Sequence, residues 1–305
     1  MKIYVRDTWT HAGAPIYKGF AAAWHEVGYE VCGYDKIEEI NDSGDYEIMC
    51  NDYLLAHFAE MPRAISQARK VYLYVQPTNF PMPWGAHPNF ISLIKGKPLI
   101  EQLNNMKSVV LWNWGDMTPQ LQQQQFPEWK KINQIVLAFD SISYTPTLDP
   151  AYEYDVCFVG GWADNGFNEK KQIMMEHFNE LMKTGLKCGV FINKGLTHEQ
   201  ENLVLYNSKV ALNIHDSYQR ILGNDSNERT FKSLGLTGAL VCDNIRQISD
   251  MFPDLPLYNS PGEMVEQIHS YLENEKLLKE TKDHYRQLIA DNHTYVHRVE
   301  QLKEL

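Results

Sequence analysis

The feature that most limits the fold of this 305-residue chain is a repeated alternation of two patterns. Short apolar runs of strand length take turns with amphipathic helical stretches. Strand, helix, strand in series is the sign of parallel α/β sheets, whose strands are apolar on both faces because both are covered. In the first half, strands are predicted at 2–6, 29–34, 46–50, 70–75, 108–113 and 134–139. Helical periodicity fills the gaps, as at 16–27 (Ile16, Phe20, Ala23, Trp24, Val27) and 53–68. The pattern breaks near Ser143–Tyr154, which carries Pro146 and Pro150, and then restarts. Strands are predicted at 155–160, 187–192, 209–214, 239–243 and 256–258. Helices are predicted at about 168–184, 198–206, 227–236, 261–290 and 293–304. Two α/β domains are therefore expected, 1–146 and 152–305, with the last helices as candidates to pack back on the first.

Composition narrows the function. A hydrophobic content of 44% suits a chain that buries real cores, and no apolar run approaches the roughly 20 residues of a membrane span. The N-terminal Met-Lys-Ile-Tyr-Val-Arg-Asp reads as a strand and not as a signal peptide. Five scattered cysteines, Cys32, Cys50, Cys157, Cys188 and Cys242, form no CxxC pair and read as reduced residues of a cytoplasmic protein. A formal net charge of −11 weighs against a protein whose main task is gripping nucleic acid.

In open α/β sheets, ligands lie off the carboxyl ends of the strands. Val156-Cys-Phe-Val-Gly-Gly runs a strand into Gly160 and Gly161, where backbone N–H groups can approach a ligand or where a tight turn needs glycine. No GxGxxG follows here or after the first strand, so an NAD site is poorly supported. Lys194, after Val190-Phe-Ile-Asn, is either a diphosphate ligand or a solvated turn lysine. Lys170 and Lys171 read as a solvated helix face. Asn213 and His215 end a third strand as donor-site candidates, His215 being either a ligand contact or a satisfied structural residue; no second His or Cys stands at metal-ligand spacing, so no metal is expected. The most informative stretch is Asn227-Glu-Arg-Thr-Phe-Lys-Ser-Leu-Gly-Leu-Thr-Gly-Ala-Leu-Val-Cys-Asp243. It reads as a helix that breaks at Gly238 and runs into a buried strand. A helix start suits an anion, and Arg229 adds a planar charged fork for phosphate or serves as an internal ion-pair partner. Asn227 and Thr230 can supply neutral hydrogen bonds, with Asn227 alternatively only an N-cap.

This stretch resembles the donor-binding segment of CgeB-like GT-B glycosyltransferases, in which an Arg-x-Phe-Glu helix, a glycine and a strand hold a nucleotide-sugar. The resemblance runs over most of 155–300, from Phe158-Val-Gly160 through Asn227–Asp243 to His293-Thr-Tyr-Val-His-Arg298. It implies a GT-B fold: α/β, two Rossmann-like domains facing an inter-domain cleft. The C-terminal domain would hold the nucleotide-sugar and the N-terminal domain the acceptor, with no cofactor and no bound metal. The chain departs from the pattern at Lys232, where Glu is usual and often holds the ribose hydroxyls. Lysine cannot accept a hydrogen bond, so ribose recognition must differ or move to Glu228. Asn224 stands where retaining relatives place another Glu, which leaves the stereochemical outcome open.

The resemblance also gives the first-half strand ends a meaning. Arg6-Asp-Thr-Trp-Thr-His-Ala-Gly13 occupies the place of the small-residue loop near donor phosphates and acceptor. Gly13 fits close approach, and Asp7 or His11 is the candidate base for the acceptor hydroxyl. Phe80 and Trp84, in a long proline-rich loop, and Trp112, with Asp116, are candidates to line the acceptor. Asp140 is a further candidate acid. The expected activity is metal-independent transfer of a hexosyl or pentosyl group from a nucleoside-diphosphate sugar to a hydroxyl. The acceptor is open among a saccharide, a small molecule, a protein and a modified nucleic-acid base. The alternatives are a nucleotide-sugar epimerase or hydrolase, and a non-catalytic binding or assembly protein that kept the fold.

Overall fold

The computed structural model describes residues 1–6, 13–77, 97–162, 169–224 and 227–305. It divides into two compact units, Met1–Val136 with Tyr295–Leu305, and Leu137–Thr294. The first holds strands β1 (Lys2–Arg6), β2 (Glu30–Tyr34), β3 (Tyr46–Asn51), β4 (Lys70–Tyr74), β5 (Val109–Asn113) and β6 (Asn133–Gln134). Its helices are α1 (Gly13–Glu26), α2 (Arg63–Gln67), α3 (Lys97–Asn105) and α4 (Pro119–Gln125). The strands pair in parallel in the order β2-β1-β3-β4-β5-β6. β3 is buried at every position, and β4 and β5 are buried after their first residue, which is why their sequences read as continuous apolar runs.

The second unit runs β7 (Val156–Gly160), α5 (Lys170–Met182), β8 (Cys188–Ile192), α6 (His198–Asn207), β9 (Val210–Asn213), α7 (Ser217–Leu222) and α8 (Glu228–Leu236). It continues with β10 (Leu240–Asp243), α9 (Arg246–Met251), β11 (Leu257–Tyr258), α10 (Pro261–Leu272) and α11 (Glu275–Asn292). The last helix, α12 (Tyr295–Glu304), belongs to the first unit. There it packs on α1: the Tyr295 ring fills the space left by Gly19, and Phe20 lies 4.8 Å from it. The second sheet is also parallel, in the order β11-β10-β9-β7-β8. In each sheet the first strand of the unit sits between the second and the third. This reversal of direction opens a crevice at the carboxyl ends of β1 and β3, and again at those of β7 and β9.

Three expectations change. The predicted strand 134–139 shrinks to β6, because the chain passes into the second unit at Leu137; Ile135, Leu137, Ala138 and Phe139 are buried, but among the described residues only Ile135 N, to Asn113 O, and the bridge of Phe139 to Thr294 pair there. The predicted helix 53–68 becomes a single 3-10 turn at Asp52–Leu55, capped by the Asn51 side chain, and then α2 after Pro62. The predicted helix 261–290 is two helices, since Asn274 caps a new start through Leu277 N.

α8 stops at Thr237, and Gly238 follows with φ of +81°. A Cβ there would lie 2.5 Å from the Lys282 carbonyl oxygen on α11, a backbone atom that cannot swing away. Gly238→Ala is therefore expected to destabilise the protein by about 2 kcal/mol or more, from left-handed strain plus the clash. Urea unfolding followed by circular dichroism measures this, and an unchanged midpoint would contradict the packing described.

Candidate functional site

The start of α8 is bolted to the end of β9 by side-chain amides. Asn227 caps the helix, its Oδ1 accepting from Thr230 N at 3.3 Å. Asn213, fully buried at the end of β9, donates from Nδ2 to Asn227 Oδ1 at 3.1 Å and to Thr230 Oγ1 at 2.9 Å. Its Oδ1 accepts from Asn227 Nδ2 at 3.2 Å and from Arg229 Nη1 at 2.9 Å. The amide is thus saturated, as a buried amide must be to avoid a desolvation penalty.

Arg229 spans the crevice of the second sheet. Its Nε donates to Val159 O on β7 at 2.8 Å and its Nη1 reaches Asn213 on β9. The guanidinium carbon sits 4.6 Å from the centre of the Phe158 ring. Burial lowers its pKa, but a guanidinium keeps its charge. Gly160 is what admits it: a Cβ there would lie 2.1 Å from Arg229 Nη2. Nε and Nη1 are thus held by protein, while Nη2 lies over the Gly160 backbone at the strand end. Gly161 faces Asn193, whose Oδ1 would meet a Cβ at 2.4 Å, and Lys194 beyond it is exposed.

A second polar group stands beside this one. His215, fully buried just past β9, donates to both oxygens of Asp243 at the end of β10: Nδ1 to Oδ1 at 2.6 Å and backbone N to Oδ2 at 2.9 Å. Arg220 Nε donates to the same Oδ2 at 2.8 Å, and its Nη2 lies 3.4 Å from His177 Nε2. Burial alone would raise the Asp243 carboxyl; the His215 ring and the Arg220 cation outweigh it and hold it well below the usual carboxylate range. Lys170, expected on a solvated face, is buried instead: it donates to Ile214 O and pairs with Asp216 Oδ1 at 3.1 Å. Burial pushes its ammonium down despite Asp216. His215, Cys242 and Asp243 are the group of metal-capable side chains among the described residues. The short His215–Asp243 contact is a hydrogen bond, and Asp243 already neutralises Arg220, so this arrangement is a polar network in its own right.

Lys232 anchors a third group. Its Nζ lies 2.7 Å from Glu201 Oε1 and 3.4 Å from Glu228 Oε2, and Tyr144 donates to Glu201 Oε2 at 2.7 Å. Burial lowers and the two carboxylates more strongly raise the Lys232 pKa. Burial, together with Glu201, raises that of Glu228. Lys232 therefore holds a carboxylate at the start of α8 although it replaces one. Asn224 is buried, with no partner for Nδ2 among the described residues.

Of the first-half candidates, Asp7, His11, Phe80 and Trp84 lie outside the described residues. Gly13 opens α1, and Asp116 lies half-buried past β5. Trp112, expected to line an acceptor, is 1% exposed and packs edge-on between Phe20 and Tyr74, so it is a core residue. Arg6 crosses the first sheet's crevice as Arg229 crosses the second's, donating from Nη1 to Asn51 Oδ1 at 3.2 Å. Asp140 is buried in the second unit and accepts from Ile142 N and Ser143 N. Sequence reasoning missed Asp243, Arg220 and His177. The strand-end position of Asp243 was a usable signal; Arg220 and His177 had none, since each looks like an ordinary helix-surface residue.

A family model described as glycosyl transferase-like matches residues 147–304, more than half of the chain. No curated protein matches. Among solved structures, a mutant of T4 phage β-glucosyltransferase in complex with UDP-glucose has a TM-score of 0.58 at 14% identity, over 98% of this chain and 97% of that one. Anabaena HepE in complex with UDP gives 0.53 at 10% identity, over 99% and 98%. S. aureus TarM, in complex with Fondaparinux, alpha-GlcNAc-glycerol and UDP, gives 0.56 at 13% identity, over 85% of this chain and 55% of that one. These likenesses establish the fold: two parallel-sheet α/β units, as in GT-B glycosyltransferases.

The buried histidines make stability depend on pH. Burial holds His215 and His177 below the ordinary imidazole value. Unfolded, each titrates near about 6.5, so below that pH the unfolded chain binds more protons and is favoured. Their contribution is complete above about pH 6.5 and falls as pH drops, by up to about 1.4 kcal/mol per pH unit for each histidine. The thermal midpoint is expected to fall by several degrees between pH 7 and pH 5.5, and a flat or rising profile would contradict neutral burial of the pair.

Proposed function

The chain belongs to the glycosyl transferase-like family, and on that premise we propose that it moves a sugar from a uridine diphosphate sugar to an acceptor hydroxyl. The observation that carries this reading is Arg229, fixed across the crevice of the second sheet with Nη2 at the strand end, beside the start of α8. A helix start leaves N–H groups unpaired and carries partial positive charge. Asn227 occupies the N–H of Thr230, and those of Glu228 and Arg229 precede it in the first turn. A diphosphate placed there meets a charged donor and oriented amides in a site already built. Such groups act most strongly when the sugar–oxygen bond breaks and its electron pair settles on the β-phosphate.

Uridine is the proposed base because solved structures of this fold hold UDP or UDP-glucose. Gly160, Gly161, Lys194, Asn213, His215, Asn227, Glu228, Arg229 and Thr230 make up the proposed donor site, with Glu228 as the group for ribose hydroxyls. The CgeB-like assignment, transfer of a hexosyl or pentosyl group, independence from metal and a cytoplasmic location belong to the same proposal. All five cysteines are free thiols, which accords with the last. Among the described residues no helix is long and apolar enough to cross a membrane. The acceptor side falls to the first unit, with Asp7 or His11 taking the hydroxyl proton. A net charge of −11 favours a saccharide or small acceptor over nucleic acid.

The test is calorimetric titration of UDP, GDP, TDP, CDP and NAD in the presence of EDTA. Wild type should bind UDP saturably. Arg229→Ala, checked for folding by circular dichroism, should weaken it about thirtyfold or more, the equivalent of about 2 kcal/mol for charge-assisted hydrogen bonds. Gly160→Ala should act in the same direction by displacing the guanidinium. UDP affinity unchanged in Arg229→Ala, or binding of NAD alone, would overturn the donor site. Tight UDP binding without turnover on any acceptor would favour the non-catalytic reading.

A further inference from the structure

His215 is aimed more firmly than a core histidine requires. Asp243 accepts from its ring Nδ1 and from its backbone N. Lys170 grips the chain on both sides of it, at Ile214 O and at Asp216. The tie to Asp243 fixes the tautomer with hydrogen on Nδ1, so Nε2 carries a lone pair. That nitrogen is buried and has no partner among the described residues. A buried polar atom left without a partner costs stability unless something arrives to meet it.

The surroundings show what would arrive. Facing His215 are Asp243 and Cys242 on β10, with Cys242 Sγ 4.0 Å from Nδ1. Lys170 comes from α5 and Arg229 from α8, and both cations act on the ring. Arg220 on α7, His177 on α5 and Tyr258 on β11 stand behind, the first on Asp243, the second on Arg220 and the last on Asn213 O. Burial first, and then these cations against Asp243, keep the free imidazole neutral. An anion settling between Arg229 and the α8 start would offset the part of this suppression that the two cations supply and would add its own attraction for a charged ring, and in a poorly solvated site such a field acts strongly.

We propose that His215 is the proton-linked member of the donor site: it takes a proton from solvent at Nε2 when a nucleoside diphosphate binds and returns it when the nucleotide leaves. This rests on the donor reading given above. The step is a proton transfer alone: an O–H bond of a solvent hydronium breaks as the N–H forms on binding, and the reverse happens on release. A sugar nucleotide's diphosphate is esterified at both ends, whereas the departing diphosphate gains a charge as the sugar leaves. A cation that appears in step with that charge stabilises the leaving group more than the bound substrate, which is the condition for accelerating transfer. Asp243 is the positioning residue that holds the ring and its tautomer.

The test is histidine-labelled NMR of the whole protein, with the His215 ring signal assigned by its loss in His215→Gln. It is titrated from pH 5 to pH 9, free and saturated with UDP. The free ring should remain the Nδ1–H tautomer through neutral pH, and UDP should raise its midpoint by about one pH unit or more, roughly tenfold in proton affinity. A ring that titrates identically with and without saturating UDP would overturn the inference and leave the donor site standing. Failure of UDP to saturate the protein would overturn both. Since His215→Gln removes a buried hydrogen bond, its own fold is checked by circular dichroism, and the wild-type titration decides the matter without it.

Discussion

The second unit depends on one saturated amide. Asn213 makes all four hydrogen bonds that its side chain can make, to Asn227 twice, to Thr230 and to Arg229. The contact with Arg229 fixes which way the amide faces, because a flipped amide would point N–H groups at a guanidinium. Through these bonds the end of β9, the start of α8 and the charged fork at the tip of β7 become one rigid piece. Gly160 is the matching condition on β7, since any side chain there would occupy the space of the fork. A site held this way needs no rearrangement to present positive charge, and preorganised charge is worth more than charge recruited from water.

The electrostatics around that piece are built on pairs. Asp243 balances Arg220, Asp216 balances Lys170, and Glu201 with Glu228 surrounds Lys232. Each buried ion has a partner at short range, as desolvation demands. Arg229 differs: among the described residues its hydrogen-bond partners are a carbonyl and an amide oxygen, both neutral, while Asp216, Glu201 and Glu228 act on its charge from farther away. His215 carries the complementary feature, a ring locked on one side and, among the described residues, unmatched on the other. A chain of net charge −11 thus gathers cationic side chains, Arg229, Lys170 and Arg220, where its second sheet reverses direction.

Much of this was legible in the sequence, for physical reasons that also mark where reading fails. Parallel strands covered on both faces must be apolar, so β3, β4, β5, β7, β9 and β10 announced themselves, and α8 was visible from Asn227 and Arg229 at its start and Gly238 past its end. Apolar runs report burial and not pairing, which is why Ile135–Phe139 looked like a strand. Lys170 was read as solvated because a lysine's type favours the surface, and only the fold brings Ile214 O and Asp216 to it. Trp112 was read as a rim residue because a tryptophan at a strand end looks alike whether it faces a ligand or, as here, Phe20 and Tyr74. The Lys232 ion cluster spans α6, α8 and the Tyr144 segment, and no local pattern encodes such a meeting.

The most direct measurement is a crystal structure of the protein with UDP. Diphosphate oxygens are expected within hydrogen-bond reach of Arg229 Nη2 and of the first-turn N–H groups of α8, with Gly160 beneath them. UDP bound elsewhere, with Arg229 turned away from the phosphates, would contradict this placement.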